Sequence, residues 1–238
     1  MYYYFKRSMD VLAAILLLTL LSPLLLLIGI LIKLESKGPI IYASKRVGKN
    51  YKVFDFYKFR SMRVGADSEV EKLKHLNNYK GQEKAEIIFS NQQKTLIADT
   101  GWVDESEYLM KEQEKSARPF FKLENDPRIT KIGHFIRNTS IDELPQLINV
   151  LKGELSLVGN RPLPLYEAEV LTTDEAIGRF MAPAGLTGYW QVTERGKKDT
   201  SVSKRIELDV TYAQKWSFMM DLKILFKTPL ALFQQSNV

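Results

Sequence analysis

The hydrophobic and polar positions of the chain divide it near residue 33. Residues 11–32 read VLAAILLLTLLSPLLLLIGILI without a charge. As a helix rising about 1.5 Å per residue, that run matches the hydrocarbon core of a bilayer, and a membrane segment is predicted. A cleaved signal peptide is the rival, since Lys6 and Arg7 precede the run, but the run is too long and no small-residue cleavage site follows it. Ser22-Pro23 lies in the middle. Pro23 has no N–H for the Thr19 carbonyl and its ring crowds that carbonyl, so a kink is expected, eased by a bond from the Ser22 hydroxyl to the Leu18 carbonyl. Lys6 and Arg7 before the run and Lys33 and Lys37 after it give a spanning helix no orientation. A helix that bends at Ser22-Pro23 and returns to the leaflet it entered would set both basic ends on one anionic surface. An ordinary kinked transmembrane anchor fits the residues equally well.

Gly38-Pro39 marks the change to water-facing chain. The stretch IIYASKRVGKNYKVFDFYKFRSM alternates aromatic or β-branched residues with polar ones around Gly48-Lys49-Asn50, which predicts a β-hairpin ending at Lys58-Phe59-Arg60. Residues 63–125 are charged and uneven, with helical candidates near 68–79 and 105–115, and read as a helical insertion. Leu144, Leu147, Ile148 and Leu151 recur at helical spacing, predicting a helix after Asp142-Glu143 that buries this stripe and stops at Lys152-Gly153. Residues 182–188 form a loop leading into YWQV. The tail, 209–233, mixes Tyr212, Trp216, Phe218, Met219, Met220, Leu222, Ile224, Leu225 and Phe226 with Lys215, Lys223 and Lys227, as amphipathic helices at a lipid interface do. The fold class is therefore an α-rich α+β one: a membrane element over 1–37 and a domain over 38–238 that carries the insertion 63–125.

Composition narrows the chemistry. The 238 residues suffice for one substantial core plus a membrane element. With 34 Lys+Arg against 28 Asp+Glu the net charge is +6, which suits an anionic partner. The basic residues do not form one stripe, and no helix-turn-helix, zinc or RNA-recognition signature is present, so nucleic acid is not expected as that partner. Cysteine is absent, which removes disulfides, thiol nucleophiles and thiolate metal sites, and the two histidines, His75 and His134, argue against a His-built zinc site.

Asp142-Glu143 is the centre of the candidate chemistry. One reading is a capping box, with Ser140 as N-cap and Glu143 three residues on. Pro145 weakens it, because a helix begun at Ser140 would lose a hydrogen bond there, so the helix is expected to begin at about Asp142. Both carboxylates then stand at a helix N-terminus that favours anions such as phosphate. Lys58, Arg60, Arg128, Lys131, Arg137 and Arg161 lie in short motifs flanked by aromatic residues or proline, the dispersion expected of a loop-built phosphate pocket. A carboxylate nucleophile is ionised near pH 7 but must approach an anionic phosphorus, so neighbouring cations are required, and Mg²⁺ held by one or two carboxylates and the substrate's phosphates would supply the rest. The non-enzymatic alternative is a membrane-anchored scaffold in which Asp142-Glu143 only caps a helix.

The combination of Lys6-Arg7 with Asp10, Ser22-Pro23, Lys58-Phe59-Arg60-Ser61-Met62, Asp126-Pro127-Arg128, Arg137, Ser140-Ile141-Asp142-Glu143-Leu144-Pro145-Gln146, Ser156-Leu157-Val158-Gly159-Asn160-Arg161-Pro162 and Gly185-Leu186-Thr187-Gly188 resembles the bacterial sugar transferase family in its minimal form. These are the monotopic polyprenyl-phosphate phosphoglycosyl transferases. The resemblance implies that Asp142 attacks the β-phosphate of a UDP-sugar, releasing UMP, and that undecaprenyl phosphate then takes the phosphosugar to begin a lipid-linked glycan such as an exopolysaccharide, capsule, O-antigen or glycoprotein glycan. It implies Mg²⁺ at Glu143 with Asp142, phosphate or substrate binding by Lys58, Arg60, Arg128 and Arg137, and nucleotide contact by Arg161 with Pro162. It also implies a re-entrant membrane helix broken at Ser22 and Pro23, membrane lipids as partners, and a site on the cytoplasmic face of the bacterial inner membrane. A homodimer is left open. Two departures stand out: Asn160 where the family pattern usually has proline, and Ala184-Gly185 where it often has Pro-Gly.

Overall fold

The computed structural model describes residues 2–66, 95–98, 101–104, 126–170, 176–194 and 202–233, and elements are numbered over these residues. Helix α1, Tyr2–Glu35, is one continuous element with Pro23 inside it. The Ser22 hydroxyl donates to the Thr19 carbonyl at 2.8 Å, not to that of Leu18. Thr19 carries the carbonyl that Pro23 cannot serve, so the residue before the proline replaces the missing donor. Leu12, Leu16, Leu20 and Leu26 stay exposed along α1, whereas Lys6, Asp10 and Ala14 are buried towards one end and Ile28, Gly29 and Ile32 towards the other.

The predicted hairpin forms. Strands β1, Ile41–Val47, and β2, Val53–Phe59, pair antiparallel from Ile41 against Phe59 to Val47 against Val53. The chain reverses through a 3-10 turn, Lys49–Tyr51, in which Asn50 and Tyr51 have φ of 54° and 58°. The far edge of β1 receives β6, Leu163–Pro164, so the sheet runs β2-β1-β6. Within the insertion, β3, Thr95–Ala98, and β4, Gly101–Asp104, form an antiparallel pair of their own. The segment expected as a helical insertion thus holds a strand pair, while its helical candidates 68–79 and 105–115 lie outside the described residues.

Helix α2, Lys131–Asn138, begins at Thr130, whose side chain accepts from the Gly133 N–H. Helix α3, Gln146–Lys152, ends at Gly153 with φ 82°, the left-handed stop that Lys152-Gly153 predicted. Its buried face differs from the expected stripe. Gln146, Leu147, Asn149 and Val150 are buried, while Ile148 and Leu151 are exposed. Asn149 is inside because it has backbone partners there, described below. Strand β5, Ser156–Val158, pairs parallel with β7, Gly185–Thr187, so the predicted loop 182–188 contains a strand. Helices α4, Leu165–Val170, α5, Tyr189–Glu194, α6, Val202–Lys215, and α7, Phe218–Phe233, complete the described elements, with a 3-10 turn at Ile177–Met181.

Both ends of α1 are built into this body. Ala14 packs with Phe54, Phe56, Leu147 and Val150, and Ile28 and Ile32 pack with Phe59 and Ile136. Asp10 accepts from the Ser156 hydroxyl and the Leu157 N–H, and Arg7 donates to the carbonyls of Val150 and Leu151. Asp221, buried on α7, accepts from Lys6 Nζ and the hydroxyls of Tyr2 and Tyr212. At the other end Glu35 accepts from the backbone N–H of Lys131 and Ile132. In the tail, α7 buries Asp221 and Ile224 and leaves Phe218, Met219, Leu225 and Phe226 exposed.

Candidate functional site

Ser140 sets the geometry of the acidic pair. Its φ of 56° is left-handed and its side chain makes no capping bond, so the capping box does not form. Ile141–Glu143 instead close a 3-10 turn, and α3 starts only at Gln146, one turn later than expected. Pro145 is thereby placed before the first helical residue, where its missing N–H costs nothing. Asp142 is buried and Glu143 half-buried.

Lys58, at the end of β2, reaches both carboxylates: Nζ lies 2.8 Å from Glu143 Oε1 and 3.5 Å from Asp142 Oδ2. Arg161 Nη2 approaches the same Glu143 oxygen at 3.8 Å. Asn149 secures this register. From α3 its Nδ2 donates to the Asp55 carbonyl at 2.6 Å and its Oδ1 accepts from the Tyr57 N–H at 3.1 Å. A fully buried side chain thus occupies the open edge of β2 as a neighbouring strand would, one residue from Lys58.

Asp142 opens onto a cavity of about 450 Å³ whose lining includes Arg46, Lys58, Arg60, Arg63 and Arg137. Burial raises the Asp142 carboxyl above the ordinary carboxylate range, and Lys58 and Arg137 oppose that shift. Of the residues expected in the site, the structure brings Lys58, Arg60, Arg137 and Asp142 to one cavity, joins Glu143 to them through Lys58, and joins Arg161 through Glu143. Arg60 is buried there and also donates from Nη2 to the Ser36 carbonyl and hydroxyl. Arg128 lies apart from the cavity lining: its guanidinium is buried against Asp126 of its own turn and the Ala66 carbonyl. Pro162 lines a narrow crevice with Arg161, Asn160 and Lys49.

Arg46 was not legible as a site residue from its motif alone. The signal was the alternation of β1: Tyr42, Ser44 and Arg46 share a face and stand opposite Lys58, Phe56 and Phe54. The Arg46 guanidinium lies 5.4 Å, and Lys58 Nζ 5.7 Å, from the centre of the buried Phe56 ring, so two cations of the cavity lining share one aromatic. Burial, followed by the nearby Arg161, lowers the proton affinity of Arg46, and Glu167 offsets part of it. No group of three or more His, Cys, Asp or Glu side chains is gathered among the described residues. Asp142 and Glu143 together offer two hard carboxylates, which suits a cation that completes its shell with substrate oxygens and water.

The bacterial sugar transferase family model matches residues 1–235. The chain belongs to the bacterial sugar transferase family. It is 38% identical over 234 residues to an undecaprenyl-phosphate galactose phosphotransferase of Salmonella typhimurium, covering 98% of this chain and 41% of that protein. It is 37% identical to the exopolysaccharide production protein ExoY of Rhizobium meliloti, covering 94% of this chain and 83% of ExoY. With the UDP-glucose:undecaprenyl-phosphate glucose-1-phosphate transferase of Escherichia coli it shares 33% identity over 94% of this chain and 39% of that protein. The chain thus spans about two fifths of the length of the Salmonella and Escherichia proteins.

In this bacterial sugar transferase Asn160 makes bonds that a proline could not. Its N–H donates to the Pro183 carbonyl at 2.9 Å, and its Nδ2 donates to the carbonyls of Arg179 and Asp209 at 2.8 and 2.9 Å. Arg179 pairs with Asp209, both buried, and donates to the Arg161 carbonyl. The loop that carries Arg161 towards Glu143 is therefore fastened to α6 by hydrogen bonds.

Burial pushes the Asp209 carboxyl up to about 6, with Arg179 and then Arg205 opposing, and its Oδ1 has no hydrogen-bond partner among the described residues. A folded-state value above the unfolded one means the native state holds the extra proton. The contribution to stability is full below about pH 4 and is lost as pH rises through 6, up to about 3 kcal/mol. Asp209→Asn is expected to flatten the stability profile between pH 4 and 6, measured by thermal unfolding at a series of pH values. Parallel profiles for variant and parent would reject this assignment.

Proposed function

We propose that this bacterial sugar transferase moves a sugar-1-phosphate from a UDP-sugar to undecaprenyl phosphate by double displacement on Asp142. The observation that carries this reading is a buried carboxylate facing a cavity walled by Lys58, Arg137 and Arg46. The Salmonella and Escherichia relatives are both named for undecaprenyl phosphate, and the Escherichia protein also for UDP-glucose, which supports these substrates. Asp142 attacks the β-phosphorus, the bond from that phosphorus to the oxygen bridging the two phosphates breaks, and UMP leaves. An oxygen of undecaprenyl phosphate then attacks the same phosphorus, breaking its bond to Asp142 and restoring the carboxylate. Lys58 and Arg137 lessen the repulsion between the Asp142 anion and the phosphate it must approach. Glu143, tied to Lys58 and Arg161, holds those cations in place. Asp142 and Glu143 would hold Mg²⁺ together with the substrate's phosphates, and the ion when bound supplies further neutralisation of phosphate charge.

The reading places the site on the cytoplasmic face of the bacterial inner membrane, where the product begins a lipid-linked glycan. Contact of both ends of α1 with one body supports a re-entrant helix, because a helix crossing about 30 Å of hydrocarbon would carry one end away from that body. The exposed Phe218, Met219, Leu225 and Phe226 of α7 support an interfacial tail. Single cysteines placed at Tyr3 and Ser36 are expected to label from the same side of sealed vesicles; labelling from opposite sides would restore a spanning anchor.

The function itself is tested by incubating the protein with Mg²⁺ and a panel of UDP-sugars, then measuring UMP release and the intact mass of the chain. A mass increase equal to one phosphosugar is expected with the true donor, and it should disappear when undecaprenyl phosphate is added. No adduct and no UMP with any donor would leave a membrane-anchored scaffold as the better account.

A further inference from the structure

The cavity beside Asp142 has a second chemical character that its cations do not explain. Pro39, Tyr42, Met62 and Val64 line it together with Arg60 and Lys58. Tyr42 and Val64 are 45% and 66% exposed, so this part of the lining is an apolar lip open to its surroundings. The lip lies at the C-terminal end of α1. Gly38, three residues past that helix, has φ +126°, and a Cβ on it would come 2.6 Å from Val64 and 2.3 Å from the Arg60 guanidinium. The glycine is what lets the chain leaving α1 close down on these two side chains. On α1 itself Ile30 and Leu34 are exposed shortly before this point.

A UDP-sugar offers little apolar surface beyond its ring faces, and covering its hydroxyls with Val64 and Met62 would cost hydrogen bonds. A phosphate joined to a hydrocarbon chain matches both halves of the lining. Arg60 adds a second mark, since its buried Nε and Nη1 have no hydrogen-bond partner among the described residues. Such donors are normally satisfied, and a phosphate oxygen would do it.

We propose that the lip of Pro39, Tyr42, Met62 and Val64 receives the first isoprene units of the polyprenyl phosphate acceptor, with Arg60 taking its phosphate as the lipid passes from the end of α1 towards Asp142. This assignment rests on the transfer reaction proposed above. It gives the cavity one entry for the lipid, adjoining the membrane helix, and leaves the Arg46 and Arg161 side to the nucleotide.

The test compares acceptors rather than absolute rates. The parent chain and the variant Met62→Ser/Val64→Ser are assayed with undecaprenyl phosphate and with a short-chain isopentenyl phosphate, while inorganic phosphate serves as a competitor. Removing two apolar contacts is expected to raise the KM for undecaprenyl phosphate about tenfold and to shrink the parent's preference for the long chain by a similar factor. Because the readout is a ratio of two acceptors, partial loss of folded protein does not mimic it. Inhibition by inorganic phosphate should persist in the variant. Met181→Ser, an exposed apolar position on the 3-10 turn at Ile177–Met181, should keep the parent's preference. An unchanged chain-length preference in the lip variant overturns the proposal, and so does a loss of phosphate inhibition with the preference intact. Absence of a UMP burst from UDP-sugar in the parent chain would instead overturn the transfer reaction, so the two failures are distinct.

Discussion

Asp142→Asn is expected to abolish turnover, by about a thousandfold or more, while leaving a folded protein. The amide keeps the shape of the carboxyl and can still lie against Lys58, but it has lost the anion that the proposed mechanism directs at phosphorus. Burial already disfavours the charged form of Asp142, so a neutral side chain is no burden on the fold there. Stability and activity should therefore separate. The melting temperature of the variant should stay at or above that of the parent, and the phosphosugar adduct should be missing from its mass spectrum. An adduct on the Asn variant, or a rate near the parent's, would move the nucleophile elsewhere. Glu143 would be the first residue to examine, since Lys58 binds it more closely than it binds Asp142.

Asp221→Ala should produce the largest loss of stability. This one buried carboxylate receives Lys6 and Tyr2 from α1 and Tyr212 from α6, and it sits on α7, so three helices converge on it. Without it the Lys6 ammonium is buried with its charge uncompensated, a change that costs about 3–5 kcal/mol. Thermal unfolding in detergent reads the loss. The double change Lys6→Met/Asp221→Leu removes both charges and fills the space, and it should cost clearly less than Asp221→Ala alone. If the double variant is the less stable of the two, the ion pair is not what holds the helices together.

Much of this was legible in the chain itself. The apolar run, the hairpin around Gly48-Lys49-Asn50 and the stop at Lys152-Gly153 are local signals, and local signals survive into the fold. The departures came where a distant partner decides. Asn149 takes a place on the buried face of α3, with Ile148 and Leu151 left exposed, because the open edge of β2, more than 90 residues away, needs hydrogen bonds. Strand β7 exists only because β5 lies beside it. Ser140 adopts a left-handed conformation that its pattern, Ser-Ile-Asp-Glu, does not reveal, and the 3-10 turn follows from it. In the candidate site the cations of the short motifs were visible, but Arg128 could not be told from Arg137 until its bond to Asp126 was seen. Arg46 needed the register of the hairpin.

The bonds that tie α1 to the domain also set an order of events during synthesis. Lys6 leaves the ribosome 215 residues before Asp221. At about 5–20 residues per second, that interval lasts roughly 10–40 s. For that time α1 exists without the carboxylate that its Lys6 ammonium meets in the folded chain, and Ala14 and Ile28 wait for their own partners. Under the proposed re-entrant placement, the bilayer holds α1 until the domain can close on it. A ribosome stalled short of Asp221 would present a helix already in the membrane beside a domain that cannot yet lock onto it.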